Sequence, residues 1–287
     1  MNQPCPSPRL QPTLANRLKW IRYFIKFSVR YGHWDFFSDF NIEINTSCNR
    51  RCAYCPNSVF ERGLIKNEQR MDEALYHKLI DELATINFRG RLSPQLYGEP
   101  LLDPRLIPLM AYTRAKLPKV HIVLISNGDA LTVDTFHALI EAGVDKFSIT
   151  QHGESMSNNM QALFAHLENN DKLLARIRYN RFDADTPLYN RGGLIQPARV
   201  NTVPRCTDPG NPVAIDYAGN VILCCHDYLS SVVFGNIRTD KFLDIWFSPR
   251  YRAIRKQLRN GEYRLPICRK CTGQEASCPP QQTVTTF

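Results

Sequence analysis

Three cysteines, Cys48, Cys52 and Cys55, stand within eight residues in "TSCNRRCAYCPNS". A closed structural zinc site takes four ligands, usually arriving as two pairs. This loop stops at three, and no histidine lies beside it. A cubane [4Fe–4S] cluster held by three thiolates keeps one iron with an open coordination position, free to bind a substrate or cofactor. Zinc completed by a distant residue is the alternative reading. A second set, Cys206, Cys224, Cys268 and Cys271, could close a four-thiolate site suited to electron transfer or structure, filled by a cubane or by zinc. Cys225 adjoins Cys224, and either could face the metal. Cys5, Cys225 and Cys278 are left over.

The elements around these residues decide whether they can meet. "DFNIEIN" alternates apolar and polar residues and predicts a strand ending just before Cys48. Strands and helices then alternate: a helix over 72–86 with Asp72 as cap, a strand in "RLSPQLYG", a helix in "DPRLIPLMAYTRAKL", a strand in "KVHIVLISNG" and a helix in "TVDTFHALIEAG" from Thr132 to Gly143. "VDKFSITQHG" predicts a further strand, 156–170 a helix and "ARIRYNRF" a fifth strand. Repeated β-α units imply a parallel sheet, open or curled into a complete or partial barrel. Active groups in such folds sit on loops at the carboxyl ends of the strands. The cysteine loop, "YGEP", "SNG" and "TQHG" all fall at that rim.

The flanks differ from this core. Leu14, Leu18, Ile21, Ile25 and Val29 recur at helical spacing among basic residues, predicting an amphipathic helix. Packing against the core is the favoured reading, contact with a membrane surface the other. After residue 185 a Pro-, Gly- and Asn-rich connector leads to "VAIDYAGNVILCC", a hairpin turning at Ala218–Gly219–Asn220. "SPRYRAIRKQLRNG" predicts a helix with Tyr251, Ile254 and Leu258 inward and Arg250, Arg255, Lys256 and Arg259 in solvent. No stable nucleic-acid binding is expected of that face. The divisions are 1–38 for the helix and lead-in, 39–185 for the core, 186–205 for the connector and 206–287 for the cysteine-bearing extension.

Composition is permissive. At 43% hydrophobic and 22% charged residues, the 287-residue chain has material for an ample core. No uncharged apolar run reaches the roughly 20 residues of a membrane span. "MNQPCPSPRL" lacks the apolar core of an export signal, so a cytoplasmic location is expected. Ten cysteines in such a chain point to metal or redox chemistry rather than disulfides. The net charge of +9 fits an anionic partner or a solvated basic surface equally well.

The C-x3-C-x2-C loop with Tyr54 before its third cysteine resembles the radical S-adenosylmethionine (SAM) superfamily over residues 40 to about 185. Three later features fall in the family's order. Gly98, Glu99 and Pro100 match the glycine-glutamate-proline motif that meets the cofactor's amino group, although Tyr97 replaces a further glycine. Ser126 and Asn127 stand where the family contacts ribose or carboxylate, and Gln151 occupies the polar fourth-strand position. The second cysteine set resembles the SPASM and shorter twitch extensions, with one auxiliary cluster the better match. The resemblance implies a partial (β/α)6 barrel, a cluster-bound SAM and a flavodoxin- or ferredoxin-type electron donor. It also implies a 5′-deoxyadenosyl radical that takes hydrogen from a small-molecule or peptide substrate.

Within the superfamily the cysteine layout resembles the twitch-bearing dehydrogenases of aminocyclitols and, second, the aminoglycoside epimerases. Dehydrogenation of a hydroxylated or amino-sugar-like substrate is the first expectation. Arg191, between core and extension, is a candidate for substrate binding or deprotonation, with a structural salt bridge the plainer role. Redox-neutral epimerisation is the alternative, with Cys278 or Cys225 as hydrogen donor. A non-enzymatic iron–sulfur or zinc protein is the third.

Overall fold

A computed structural model describes residues 35–182, 186, 188–196 and 206–274, with helix positions 21, 22, 25, 28 and 29. Cys5 and Cys278 lie outside the described residues, as does most of the expected connector.

Strands β1 (Asp39–Ile42), β2 (Arg91–Ser93), β3 (His121–Ser126), β4 (Lys146–Gln151) and β5 (Ile177–Arg181) run parallel in that spatial order. Helices α1 (Glu73–Thr85), α2 (Leu106–Lys116), α3 (Val133–Glu141), α4 (Asn158–Leu167) and α5 (Asp171–Leu174) connect them. Each helix start has a local cause. Asp72 accepts from the Ala74 amide, Thr132 from Thr135 and Ser157 from Met160, satisfying donors that a first helical turn leaves orphaned. α1 buries Leu75, Tyr76, Leu79, Ile80 and Leu83, the stripe that its 3.6-residue period dictates.

The C-terminal region is built into the same sheet. Strand β6 (Pro212–Ile215) pairs parallel with β1, from Asp39 opposite Pro212 to Ile42 opposite Ile215. It makes a sixth parallel strand on the side of β1 away from β2. From β6 the chain turns through Gly219, whose φ of +88° suits a residue without a Cβ, into β7 (Asn220–Ile222) and β8 (Val233–Asn236). These two extend the sheet antiparallel to eight strands. Three short helices follow: α6 (Phe242–Trp246), α7 (Pro249–Arg259) and α8 (Pro266–Cys271).

Two expectations about the flanks fail. Arg255 is 1% exposed rather than solvated. Its guanidinium lies 3.8 Å over the Trp246 ring and donates to Asp35 at 2.7 Å, and Arg259 joins the same carboxylate. Burial opposes the Asp35 carboxylate, but the two arginines outweigh it and hold its pKa below the usual range. The helical period places residue 255 beside Tyr251 and Leu258, so geometry overrode charge. Asp35→Ala should strand a buried cation and destabilise the protein by about 3 kcal/mol in urea titration. A loss below about 1 kcal/mol would mean that water reaches Arg255.

The second failure is the N-terminal row. Ile21, Ile25 and Val29 are helical, as expected, but they are 52%, 57% and 84% exposed rather than packed on the core. Among the described residues, no helix is long and apolar enough to cross a membrane.

Candidate active site

The cysteine loop leaves β1 at its carboxyl end and is pinned from beneath. The Cys48 amide donates to Gly63 O (3.0 Å), and its sulfur accepts from the Arg50 amide at 3.4 Å. Arg50 clamps Asp129, just beyond "SNG", through Nε and Nη2 at 2.5 and 2.7 Å. Asn49 donates to the same carboxylate at 2.7 Å. This clamp ties the first loop to the end of β3, and the sequence reading missed it. Its one local sign was that both partners adjoin motif residues.

Burial raises the thiol of Cys48 to about 11 and pushes that of Cys55 upward as well. The Cys48 sulfur is therefore protonated at neutral pH until metal displaces its proton. A single tetrahedral zinc draws its sulfurs to within roughly 4 Å of one another. Among the described residues, the one set of three potential ligand atoms all within 4.8 Å is Asp208, Cys225 and His226. Neither cysteine set is gathered that tightly among the described residues.

Glu99 lies at the centre of the rim, 4% exposed. Its carboxylate accepts from Ser126 Oγ (2.6 Å), the Asn127 amide (2.9 Å) and the Leu101 amide (3.2 Å). Burial raises its pKa to about 7 despite these donors, and no cation pairs with it among the described residues. A buried carboxylate held by neutral donors alone suits a ligand ammonium group. Gly98 lets it sit there: a Cβ at this position would lie 2.0 Å from Asn45 O. Pro100 opens the short turn after it and is buried.

Asn127 donates to Asn49 Oδ1 (2.8 Å) and accepts from the Asp129 amide (2.9 Å), with its nitrogen 4.0 Å from Cys48 Sγ. Gln151 has both ends engaged, donating to Gly153 O (2.8 Å) and accepting from Tyr179 (2.9 Å). In this arrangement it shapes the β4 loop. Tyr54 stacks on Phe182 at 4.1 Å and shares a hydrogen bond with His152.

The ligand affinity of this rim should depend on pH. The Glu99 carboxyl becomes charged as pH rises through about 7, and only the charged form pairs with an ammonium group. SAM affinity, measured anaerobically by equilibrium dialysis, should fall by up to about tenfold per unit as pH drops below 7. Glu99→Gln should weaken binding and flatten the profile, whereas a sloping profile in that variant would move the titrating group elsewhere.

The second cysteine set lies against this rim. Cys206, Cys224 and Cys268 share an apolar cluster with Leu223, Val232, Leu258 and Tyr263. Cys225 packs against a second cluster of Leu96, Tyr97 and Tyr228, with its sulfur also within 4.8 Å of ligand atoms of Asp208 and His226. Successive side chains leaving a strand point to opposite faces. The apolar cluster groups Cys224 with Cys206 and Cys268, while Cys225 lies near Asp208 and Cys271. Short helix α8 supplies Cys268 and Cys271.

Tyr97 spans the gap, donating to Cys225 O at 2.6 Å. Its departure from glycine thus joins the GEP loop to the extension. Asn57 adds a second bridge, donating to Tyr97 O (3.0 Å) and accepting from Tyr228 (2.9 Å). Arg191 sits at this junction with φ +50°, 6.0 Å from the Tyr97 ring centre and 3.4 Å from His226 Nδ1. Burial works against its charge, but Tyr97, Cys225 and Cys55 in their ionised forms would favour it, and on balance its pKa is raised. Among the described residues no carboxylate pairs with it, and its buried Nε makes no hydrogen bond. The anticipated salt bridge is thus not seen among them. Burial and then Arg191 lower His226 to about 4, so its imidazole is neutral.

A family model described as the radical SAM superfamily matches residues 42–164, and one described as an iron–sulfur cluster-binding domain, SPASM, matches 206–272. The S-adenosyl-L-methionine-dependent 2-deoxy-scyllo-inosamine dehydrogenase of Niallia circulans is 34% identical over 240 residues, 82% of this chain and 92% of that protein. The chain belongs to the radical SAM superfamily. Among solved structures, BtrN in complex with AdoMet and 2-DOIA is similar at a TM-score of 0.74 and 33% identity, covering 82% of this chain and 93% of that one. BtrN in an open conformation gives 0.64 at 31% identity, covering 82% and 92%. This radical SAM protein is an enzyme of the oxidoreductase class, with a core for a [4Fe–4S] cluster and SAM and a SPASM region for auxiliary iron–sulfur.

Proposed function

We propose that this enzyme oxidises a secondary alcohol of an aminocyclitol-like small molecule to a ketone, close to the reaction named for the Niallia circulans relative. The observation that carries this reading is the junction at Arg191. One half-buried cation lies near both the SAM-site cysteine Cys55 and the extension's Cys225, with no acid partner among the described residues. A hydroxylated substrate lodged there would meet both cysteine sets at once.

Cys48, Cys52 and Cys55 would hold the SAM-binding cluster, and Cys206, Cys224, Cys268 and Cys271 the auxiliary one. When bound, these groups supply a hydrogen-abstracting radical on one side and an acceptor for the second electron on the other. The chain's own groups do the rest. Glu99 would anchor the cofactor's ammonium, while Ser126 and Asn127 hold Glu99 in position. Arg191, fully charged, would orient the substrate oxygen and stabilise negative charge on it as its proton passes to solvent water. Tyr97 and Asn57 keep the two halves in register. A reduced flavodoxin or ferredoxin in the cytoplasm would serve as electron donor.

The test is reaction with 2-deoxy-scyllo-inosamine in deuterated water. Oxidation predicts a ketone carrying no solvent deuterium at the reacting carbon. A solvent deuterium on an unoxidised product would overturn this reading in favour of epimerisation through a thiol donor such as Cys225 or Cys278.

A further inference from the structure

We propose that the N-terminal segment is a reversible anchor to an anionic bilayer surface. Ile21, Ile25 and Val29 are helical and four residues apart, so they share one stripe. Their exposures of 52%, 57% and 84% show that the described fold leaves this stripe uncovered. Arg22 and Ser28 are exposed too.

Charge indicates what covers it. Before Asp35, the first acidic residue, the sequence has six cations, Arg9, Arg17, Lys19, Arg22, Lys26 and Arg30, and no acid. These 34 residues thus carry +6 of the net +9, and the remaining 30 cations and 27 acids leave only +3. A second copy of the segment would add six more cations and no acid, which disfavours self-association. An anionic bilayer offers negative headgroups for the cations and an acyl boundary for the isoleucines. Trp20, Tyr23 and Tyr31 are residue types suited to that boundary. The segment enters the fold at Asp35, which Arg255 and Arg259 hold fast. Binding there needs nothing from the active site, so this inference stands apart from the proposed reaction.

The test sediments the full cluster-loaded protein with vesicles of phosphatidylcholine alone or mixed with phosphatidylglycerol. The anchor predicts capture by the mixed vesicles, little by phosphatidylcholine alone, and weakening in about 1 M salt, where the screening length falls to about 3 Å. Ile25→Glu with Val29→Glu should lower the bound fraction about tenfold or more while iron content and SAM cleavage stay unchanged. No capture by the mixed vesicles would overturn the proposal. So would capture indifferent to the glutamates, which would reflect charge alone, or a dimer that dissociates in the double variant, which would make the stripe a protein interface.

Discussion

Replacing Cys48, Cys52 and Cys55 together with alanine should lower iron from about eight to about four per chain and abolish SAM cleavage. The variant should remain folded, because the loop's support comes from elsewhere. Gly63 O receives the Cys48 amide, and the Arg50–Asp129 clamp and the Asn57 bridges involve no thiol. Iron analysis and deoxyadenosine release after anaerobic reconstitution measure both effects. Residual cleavage at even about one-hundredth of the native rate would mean that the open iron is held elsewhere.

Cys224→Ala or Cys268→Ala should have the opposite signature. Iron should again fall to about four, yet deoxyadenosine should still form while oxidised product drops about tenfold or more relative to it. Both residues lie in the apolar pocket with Cys206. Cys225→Ala is the comparison, since that side chain packs on the cluster of Tyr97 and Tyr228. It should keep about eight irons. Loss of half its iron instead would reverse the assignment of the two neighbours. One zinc per chain in place of the second four irons would remove the proposed electron acceptor.

The parts legible in the sequence were those written locally. Three cysteines in eight residues, "YGEP" and "SNG" each encode a turn and its chemistry together, and the alternation of periods placed them at strand ends. What was hidden depended on contacts across long stretches of chain. Tyr97 looked like a mild departure from glycine, and only the approach of Cys225, 128 residues on, gives its hydroxyl a partner. Which of Cys224 and Cys225 turns toward Cys206 depends on the phase of β7, which a pair of identical residues cannot reveal. Arg255 is an instructive failure, since its spacing from Tyr251 and Leu258 already put it on the inner face. Charge suggested solvent, but Asp35, lying 220 residues earlier, makes burial tolerable. The N-terminal period likewise revealed an apolar stripe without revealing whether protein covers it.

The central claim is that two cysteine sets meeting at Arg191 serve a two-electron oxidation. The most direct measurement is the molar ratio of ketone to 5′-deoxyadenosine over several turnovers, using an aminocyclitol deuterated at the carbinol carbon. The account predicts equal amounts, with the deuterium found in deoxyadenosine. Deuterated deoxyadenosine accompanied by substrate at its original oxidation state would contradict it.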